Sequence, residues 1–216
     1  MRPAAHAAKP RAAEAARPAS EGQTEMKGDT VIVFARAPRL GAVKRRLARG
    51  IGAMAALRFY RAQLAATLRE ARDPRWQLVL AATPDHAGTR WPVRAPRQPQ
   101  GHGDLGARML RALSRHRRAV LVGSDIPGLA RTDLAAAFRA LGRADAVFGP
   151  AEDGGFWLVG LGPRRPANPF ARVRWSSSAT LADTLANFPG RRVAQLRRLR
   201  DVDTAEDLAV LRGVRR

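Results

Sequence analysis

A three-layer α/β/α sandwich with a mostly parallel sheet is the fold that three features of this 216-residue sequence predict. Short apolar runs alternate with amphipathic segments of about ten to twenty residues, a pattern typical of strand–helix–strand units. The first apolar run, residues 31–34, opens into a loop that contains Pro38 and Gly41, as the first strand of such a sheet often does. Hydrophobic residues make up 45% of the chain, which suits one sizeable core.

The first half of the chain is predicted to contain two strands and two helices. Leu57, Tyr60, Leu64 and Leu68 share one stripe at helical spacing and indicate a helix over residues 53–72. Residues 84–103 are rich in proline and predict a long irregular connection. The remaining elements are strands at residues 31–34 and 77–82 and a helix that Asp104 opens.

The second half continues the alternation of strands and helices. Thr132 is predicted to cap a helix that runs to Leu141, and residues 176–178 are predicted to start another. Thr204 and Asp207 form a capping-box pattern in front of a last helix. The predicted strands are residues 119–123, 144–148, 156–161 and, at the edge of the sheet, 193–199.

The N-terminal residues differ from the rest in composition. Residues 1–27 are rich in alanine, proline, arginine and glutamate and show no periodic apolar pattern, which predicts a disordered arm. Residues 28–216 are expected to form a single domain. Because Met26 lies just before the first strand, it stays an alternative to Met1 as the biological start.

The net charge of +21 at neutral pH favours anionic ligands. Nearly all of the positive charge is arginine, spread along the chain without interleaved aromatic residues, so no specific nucleic-acid partner is predicted. The sequence contains no cysteine, which excludes disulfides and thiolate metal sites. No apolar run approaches the roughly 20 residues of a membrane helix, and we expect a cytoplasmic protein with no membrane partner.

The loop after the first strand is a candidate anion site. It carries the basic residues Arg36, Arg39, Lys44, Arg45 and Arg46, and in open α/β sheets the first such loop commonly receives phosphate. Lys44 is the only lysine within residues 28–216, which suggests a need for a compact ammonium group. The alternative is a surface loop that is basic because the whole chain is basic.

Three aspartates are candidates for the chemistry. Asp125 directly follows a predicted strand, where a carboxylate can hold a divalent cation beside phosphate, although an aspartate there can also simply form a turn. Asp153 precedes two glycines that permit close approach of a ligand, and it is equally well explained as a polar residue of a hairpin. Asp203 precedes the capping threonine and is a weaker candidate for a second metal carboxylate.

Six segments of the chain together resemble a known bacterial family. In order they are FARAPRLGAVKRRL, QGHGDLGARM, GSDIPGL, GPAEDGGFWLVGL, VRWSSSATLADTL and DVDTAEDL. The family is related to GT-A nucleotide-diphospho-sugar transferases, and its members are described as arsenosugar-biosynthesis-type glycosyltransferases. The resemblance covers about residues 30–212. It implies a nucleotide-binding α/β/α sandwich of the GT-A type.

The resemblance also implies the roles of individual residues. Asp125 and Asp203 would bind Mg²⁺ or Mn²⁺, and Asp153 and Lys44 would be catalytic. Arg45 departs from the family, which commonly has a threonine after the lysine. The residues implied to bind the nucleotide are Ala35, Arg36, Gly41, Lys44, Gly103, Asp104 and Arg108, and those implied to face the acceptor are Asp153, Gly154 and Ser177.

The resulting functional prediction is a metal-dependent glycosyltransferase that uses a nucleotide-sugar donor and a small-molecule acceptor. The alternative is a nucleotidyltransferase, distantly similar to guanylyltransferases, that joins a nucleoside monophosphate to a phosphorylated acceptor. A third hypothesis is a nonspecific nucleic-acid binder, whose affinity would fall steeply with salt. The even spread of the arginines disfavours that third hypothesis.

Overall fold

The structure is a computed structural model that describes residues 28–85, 88, 91–92 and 94–213. The arm predicted to be disordered, residues 1–27, lies outside the described residues. None of the helices in the described part of the chain is both long and apolar enough to cross a membrane.

A seven-stranded sheet forms the centre of the domain. Its strands are β1 (Asp29–Arg36), β2 (Gln77–Thr83), β3 (Arg97–Pro99), β4 (Arg118–Gly123), β5 (Ala146–Pro150), β6 (Phe156–Leu161) and β7 (Val193–Gln195). Their order across the sheet is β3-β2-β1-β4-β6-β5-β7. Only β6 runs antiparallel to its neighbours, β4 and β5, so the predicted mostly parallel sheet is confirmed.

Helices cover both faces of this sheet. They are α1 (Arg45–Ile51), α2 (Ala53–Glu70), α3 (Leu105–Ser114), α4 (Arg131–Leu141), α5 (Thr180–Leu185) and α6 (Ala205–Gly213). Successive residues of β1 point to opposite faces: Val31 joins a core cluster that contains Leu64 of α2 and Leu134 of α4. Ile32 joins a second cluster that contains Met109 and Leu113 of α3. Both faces of β1 are therefore buried, and the three-layer sandwich is confirmed.

The structure corrects several predicted boundaries. Arg45 and Arg46, predicted in a loop, begin the short helix α1, and the irregular connection contains the strand β3. Helix α4 begins at Arg131 instead of being capped by Thr132, because Asp133 accepts a hydrogen bond from the Ala130 N–H. Helix α5 begins only at Thr180, and residues 176–178 form turns before it. The capping box of α6 is present, since Thr204 and Asp207 bond to each other's backbone N–H groups.

Candidate functional site

Three charged side chains from distant parts of the chain meet beyond the carboxyl ends of β1 and β4. The Nζ atom of Lys44 lies 2.7 Å from Oδ2 of Asp125 and 2.8 Å from Oδ1 of Asp203. The Lys44 side chain is only 7% exposed, whereas the side chains of Asp125 and Asp203 are 24% and 44% exposed. We call these residues the Lys44 cluster. The two aspartates implied as metal ligands thus lie side by side and share one ammonium group.

Local structure holds each member of the Lys44 cluster in place. Lys44 is the left-handed residue, with φ 46°, that turns the loop after β1 into α1. Asp125 lies two residues after the end of β4, and Asp203 precedes the capped start of α6. The Asp203 N–H donates to Oδ2 of Asp207 at 3.2 Å, so the cap also fixes the backbone of Asp203.

Electrostatics make Lys44 a permanent cation. Burial alone would lower the pKa of Lys44, but the charges of Asp125 and Asp203 and the hydrogen bonds to them outweigh burial and raise that pKa. A neutral lysine is therefore not formed at physiological pH. The cluster presents a fixed positive charge whose two partner carboxylates remain partly open to solvent.

Tyr60 ties the ends of β1 and β4 together beneath the cluster. Its hydroxyl accepts the Arg36 N–H at 3.0 Å, donates to the Arg36 carbonyl at 2.8 Å, and lies 3.0 Å from Oγ of Ser124. Burial and the nearby charge of Asp125 raise the pKa of Tyr60 to about 12, although its hydrogen bonds to Ser124 and Arg36 oppose the shift. The sequence placed Tyr60 on the apolar stripe of α2, and nothing in that stripe indicated its polar role.

A cavity of about 540 Å³ lies beside the Lys44 cluster at the ends of β1, β2 and β4. Its lining carries five basic side chains against two carboxylates, a surplus of three positive charges. We call it the cationic cavity. Its charged residues are Arg36, Lys44, Arg45, Arg46, Arg108, Asp125 and Asp203.

Arg108 is held rigidly on one wall of the cationic cavity. Its guanidinium lies 5.7 Å from the ring centroid of Phe34 and donates to Oε1 of Gln100. The buried Gln100 amide is itself fixed, since Nε2 donates to the Ala35 carbonyl at 3.1 Å and to the Ala81 carbonyl at 2.7 Å. Burial and the positive charge of Arg36 lower the pKa of Arg108. An anion between these two arginines would relieve their repulsion.

A second cavity, of about 280 Å³, adjoins the first, and Phe34 and Leu105 line both. Most of its lining is apolar, and its carboxylates are Asp153 and Asp201. We call it the apolar cavity. Ser177, which the resemblance implied on the acceptor side, also lines it. Gly154 has φ 85°, and a side chain there would overlap the Ser178 backbone, so this glycine permits the close approach of the loop before α5.

Asp201 is a charged residue of this region that the sequence reasoning missed. Burial, followed by the charges of Asp203 and Asp153, raises the pKa of Asp201 to about 6. A signal was present in the sequence: Asp201 and Asp203 flank the buried Val202, so an extended segment presents both carboxylates on one side.

The other residues implied to bind the nucleotide fall into two groups. Ala35, Arg36, Lys44 and Arg108 line the cationic cavity. Gly41, with φ 73°, forms the turn after β1, and Gly103, with φ 99°, precedes α3. Asp104 is the N-cap of α3 and accepts the Ala107 N–H at 2.8 Å. None of these last three residues lines the cationic cavity as described.

The two carboxylates of the Lys44 cluster fit a divalent cation that completes its coordination with oxygens from a ligand. Among the described residues, no group of three or more His, Cys, Asp or Glu side chains is placed to hold a metal ion by itself. Mg²⁺ and Mn²⁺ commonly bind one or two carboxylates and complete their coordination with phosphate oxygens and water. Asp125 and Asp203 already face one shared positive charge. They fit such a metal together with a phosphate-bearing ligand.

Comparison with known proteins identifies the family. Residues 65–177 match the sequence model of an uncharacterized protein family conserved in bacteria, DUF2064. The chain belongs to this family. The chain is also similar to a solved structure from Desulfovibrio desulfuricans G20, provisionally described as a nucleotide-diphospho-sugar transferase, at 30% identity and a TM-score of 0.80. The alignment covers 86% of this chain and 87% of that one.

More distant structures share the fold alone. The 4-diphosphocytidyl-2C-methyl-D-erythritol synthase of Anaerococcus prevotii DSM 20548 is 11% identical with a TM-score of 0.56, covering 88% of this chain and 97% of that one. Rv0371c of Mycobacterium tuberculosis H37Rv is 19% identical with a TM-score of 0.51, covering 85% and 97%. A search of curated proteins found no match. The predicted nucleotide-diphospho-sugar-transferase-like fold is confirmed, whereas the arsenosugar part of the resemblance stays a prediction.

Proposed function

We propose that this DUF2064 protein transfers a glycosyl group from a nucleotide-sugar donor to a neutral hydroxyl group of a small-molecule acceptor. The observation that carries the proposal is the difference in charge between two adjoining cavities. The cationic cavity is lined by five basic side chains, whereas the described residues around the apolar cavity include two carboxylates and no basic side chain. A diphosphate is attracted to the first cavity and repelled from the second.

The donor diphosphate lies in the cationic cavity in this proposal. Arg36 and Arg108 neutralise its charge, and their mutual repulsion is relieved when it binds. Asp125 and Asp203 would hold Mg²⁺ or Mn²⁺, and a metal bound there would supply Lewis-acid stabilisation of the charge on the leaving group. Lys44 supplies a fixed positive charge at the same place.

In the transfer step the acceptor oxygen bonds to the anomeric carbon of the donor sugar, and the bond from that carbon to the phosphate oxygen breaks. The electron pair leaves with the nucleoside diphosphate, whose negative charge Lys44 and Arg36 stabilise. The proton of the acceptor hydroxyl passes to the carboxylate of Asp153. Oδ1 of Asp153 accepts the Gly155 N–H at 2.8 Å, which orients the side chain.

Nucleotidyl transfer is the second candidate, and the surplus positive charge of the cationic cavity favours it, because a triphosphate would also bind there. An oxygen of a phosphorylated acceptor would attack the α-phosphorus, and pyrophosphate would leave. That acceptor would have to bring its phosphate towards Asp153 and Asp201. Repulsion between these like charges places this candidate second.

Product analysis separates the two reactions. The protein is incubated with Mg²⁺ or Mn²⁺ in two parallel reactions. One contains nucleotide sugars and a neutral alcohol, and the other contains nucleoside triphosphates and the phosphate ester of the same alcohol. The products are separated by anion exchange. We expect acceptor-dependent release of nucleoside diphosphate. Release of pyrophosphate with the phosphate ester, and no turnover of nucleotide sugars, would overturn the proposal in favour of nucleotidyl transfer. The cytoplasmic location stays a prediction.

A further inference from the structure

The walls of the apolar cavity restrict what can occupy it. Aromatic and aliphatic side chains from the sheet, the loop after β4, α3 and the loop before α5 form most of its surface, including Met109, Leu121, Ile126, Phe156 and Trp175. Desolvating polar groups against such walls is costly, whereas burying apolar surface is favourable. The cavity therefore selects an apolar group.

Three polar side chains in these walls, those of Ser177, Thr180 and Trp157, already have hydrogen-bond partners. Oγ of Ser177 and Oγ1 of Thr180 each donate to the Arg174 carbonyl at 2.8 Å. Nε1 of Trp157 donates to the Arg197 carbonyl at 3.2 Å. A ligand with many hydroxyl groups would find few partners for them inside the cavity.

The two carboxylates are the charged side chains of the cavity. Asp153 and Asp201 both line the cavity, and the Gly155 N–H orients Asp153 by donating to its Oδ1 at 2.8 Å. Carboxylates accept hydrogen bonds and repel anions. They suit one hydroxyl group on a ligand whose remaining part is uncharged.

The volume of the cavity sets the size of the apolar part. A cavity of about 150 Å³ with aliphatic and aromatic walls is large enough to bind benzene. The apolar cavity, at about 280 Å³, has room for a substituted ring or a branched alkyl group. A polycyclic or long-chain compound would extend beyond it.

We propose that the apolar cavity binds the body of an aryl or short alkyl alcohol, with its single hydroxyl at the Asp153–Asp201 pair. The assignment of this alcohol as the acceptor rests on the proposed function, but its binding does not. If such alcohols bind and no glycosyl transfer occurs, the proposed function fails and this inference stands. If polyols are glycosylated and aryl alcohols do not bind, this inference fails and the proposed function stands.

Gly123 offers a substitution that narrows the cavity. It lies at the end of β4 and lines the cavity, and a Cβ atom there would be 3.4 Å from the Ile126 side chain and 3.8 Å from Oδ1 of Asp125. These are ordinary van der Waals distances, so Gly123→Val should fold while its methyl groups occupy ligand space. Gly88→Val is the matched control, because Gly88 is exposed and a Cβ there meets no atom of the described residues within 4 Å.

Saturation-transfer NMR tests the proposal with benzyl alcohol, benzyl phosphate and glycerol as probes. We expect saturation of the benzyl alcohol ring protons by the wild type and by Gly88→Val, loss of this signal in Gly123→Val, a weaker signal for benzyl phosphate and none for glycerol. Three results would overturn the proposal. They are a signal for benzyl phosphate as strong as that for benzyl alcohol, a signal for glycerol in place of benzyl alcohol, and an undiminished benzyl alcohol signal in folded Gly123→Val.

A second measurement does not depend on the folding of a variant. The sequence has three isoleucines, Ile32, Ile51 and Ile126, so their labelled methyl groups give few signals. Benzyl alcohol should shift the Ile126 methyl signal and leave that of Ile51 unchanged, because only Ile126 lines the apolar cavity. A shift of Ile51 with no shift of Ile126 would overturn the proposal.

Discussion

The two ends of β1 and β4 carry cavities of different character. At the amino ends, a cleft of about 720 Å³ is lined by three basic and two acidic side chains. There Asp29 pairs with Arg118, and Asp145 pairs with Arg164. At the carboxyl ends, the cationic cavity of about 540 Å³ has five basic and two acidic side chains, and both carboxylates share Lys44.

The difference shows that unbalanced charge, more than volume, distinguishes a candidate ligand site in this molecule. In the larger cleft each carboxylate has an arginine of its own. In the smaller cavity Arg36 and Arg108 form no ion pair within the part of the chain that the structure describes, and the buried Nε of Arg108 has no hydrogen-bond partner there. A bound anion would give Arg36 and Arg108 a negatively charged partner.

We expect the largest effect from replacing one aspartate by asparagine, first at the carboxyl ends and then at the amino ends of β1 and β4. Asp125→Asn should lower turnover about 100- to 1000-fold, because the proposed metal would lose one of its two carboxylate ligands and with it the metal's stabilisation of the leaving phosphate. The matched variant Asp29→Asn breaks an ion pair at the other end and should leave turnover unchanged. The contrast is measured by comparing the rates at which the two variants release nucleoside diphosphate. Wild-type turnover in Asp125→Asn would remove the assignment of Asp125.

Replacing the shared lysine should affect stability in a metal-dependent way. Lys44→Met leaves two neighbouring carboxylates without a common counter-charge, and we expect a loss of about 1–3 kcal/mol of unfolding free energy. Mg²⁺ should restore part of this stability, since it can bind between the same carboxylates. Urea unfolding with and without Mg²⁺ measures the effect.

Arg164→Met is the control for that experiment. Its partner Asp145 keeps the Arg192 N–H as a donor at 3.0 Å, so a smaller loss of stability and no response to Mg²⁺ are expected. Equal responses of the two variants to Mg²⁺ would show that the ion acts nonspecifically.

A smaller effect should follow from Tyr60→Phe. The variant loses the hydrogen bonds that join Arg36 to Ser124, which should cost about 1–2 kcal/mol of unfolding free energy. Thr67→Val, which removes one 3.3 Å bond to the Ser124 carbonyl, should cost less. Chemical unfolding of both proteins gives the comparison. A larger loss in Thr67→Val would mean that the phenol hydroxyl does not join the two strand ends.

The smallest effect concerns pH at the opposite end of the sheet. The hydrogen bond from Arg164 and that from the Arg192 N–H lower the pKa of Asp145 below its ordinary value. A carboxyl group whose pKa is lower in the folded state than in the unfolded state stabilises the fold at pH values above its unfolded-state pKa of about 4. This stabilisation is lost as the pH falls through the folded-state pKa. Asp145→Asn should flatten the pH dependence of the melting temperature below about pH 4. An unchanged acid profile would contradict this role.

The fold was predictable where local pattern and burial agree. The run at residues 31–34 and the stripe of Leu57, Leu64 and Leu68 belong to β1 and α2. Helix α1 has seven residues and buries only Leu47, which is too little for a periodic pattern. Among the described residues, the three residues of β3 pair only with β2, and no local signal marks them among the prolines.

The site was predictable only in part, because its members meet through long-range contacts. Strand ends and the helix cap directed attention to Asp125 and Asp203, and the basic loop to Lys44. That Lys44 bonds both aspartates depends on residues separated by 159 positions, Lys44 and Asp203. Tyr60 was indistinguishable from a core residue until the ends of β1 and β4 were placed side by side.

Nucleoside diphosphate binding tests the central claim most directly, namely that unbalanced charge at the carboxyl ends forms the nucleotide site. Arg36 and Arg117 are both exposed and line opposite cavities, so Arg36→Ala and Arg117→Ala are matched variants. Calorimetric titration with nucleoside diphosphates and Mg²⁺ should show binding by the wild type and Arg117→Ala and a marked loss of affinity in Arg36→Ala. Loss of affinity in Arg117→Ala with none in Arg36→Ala would contradict the account.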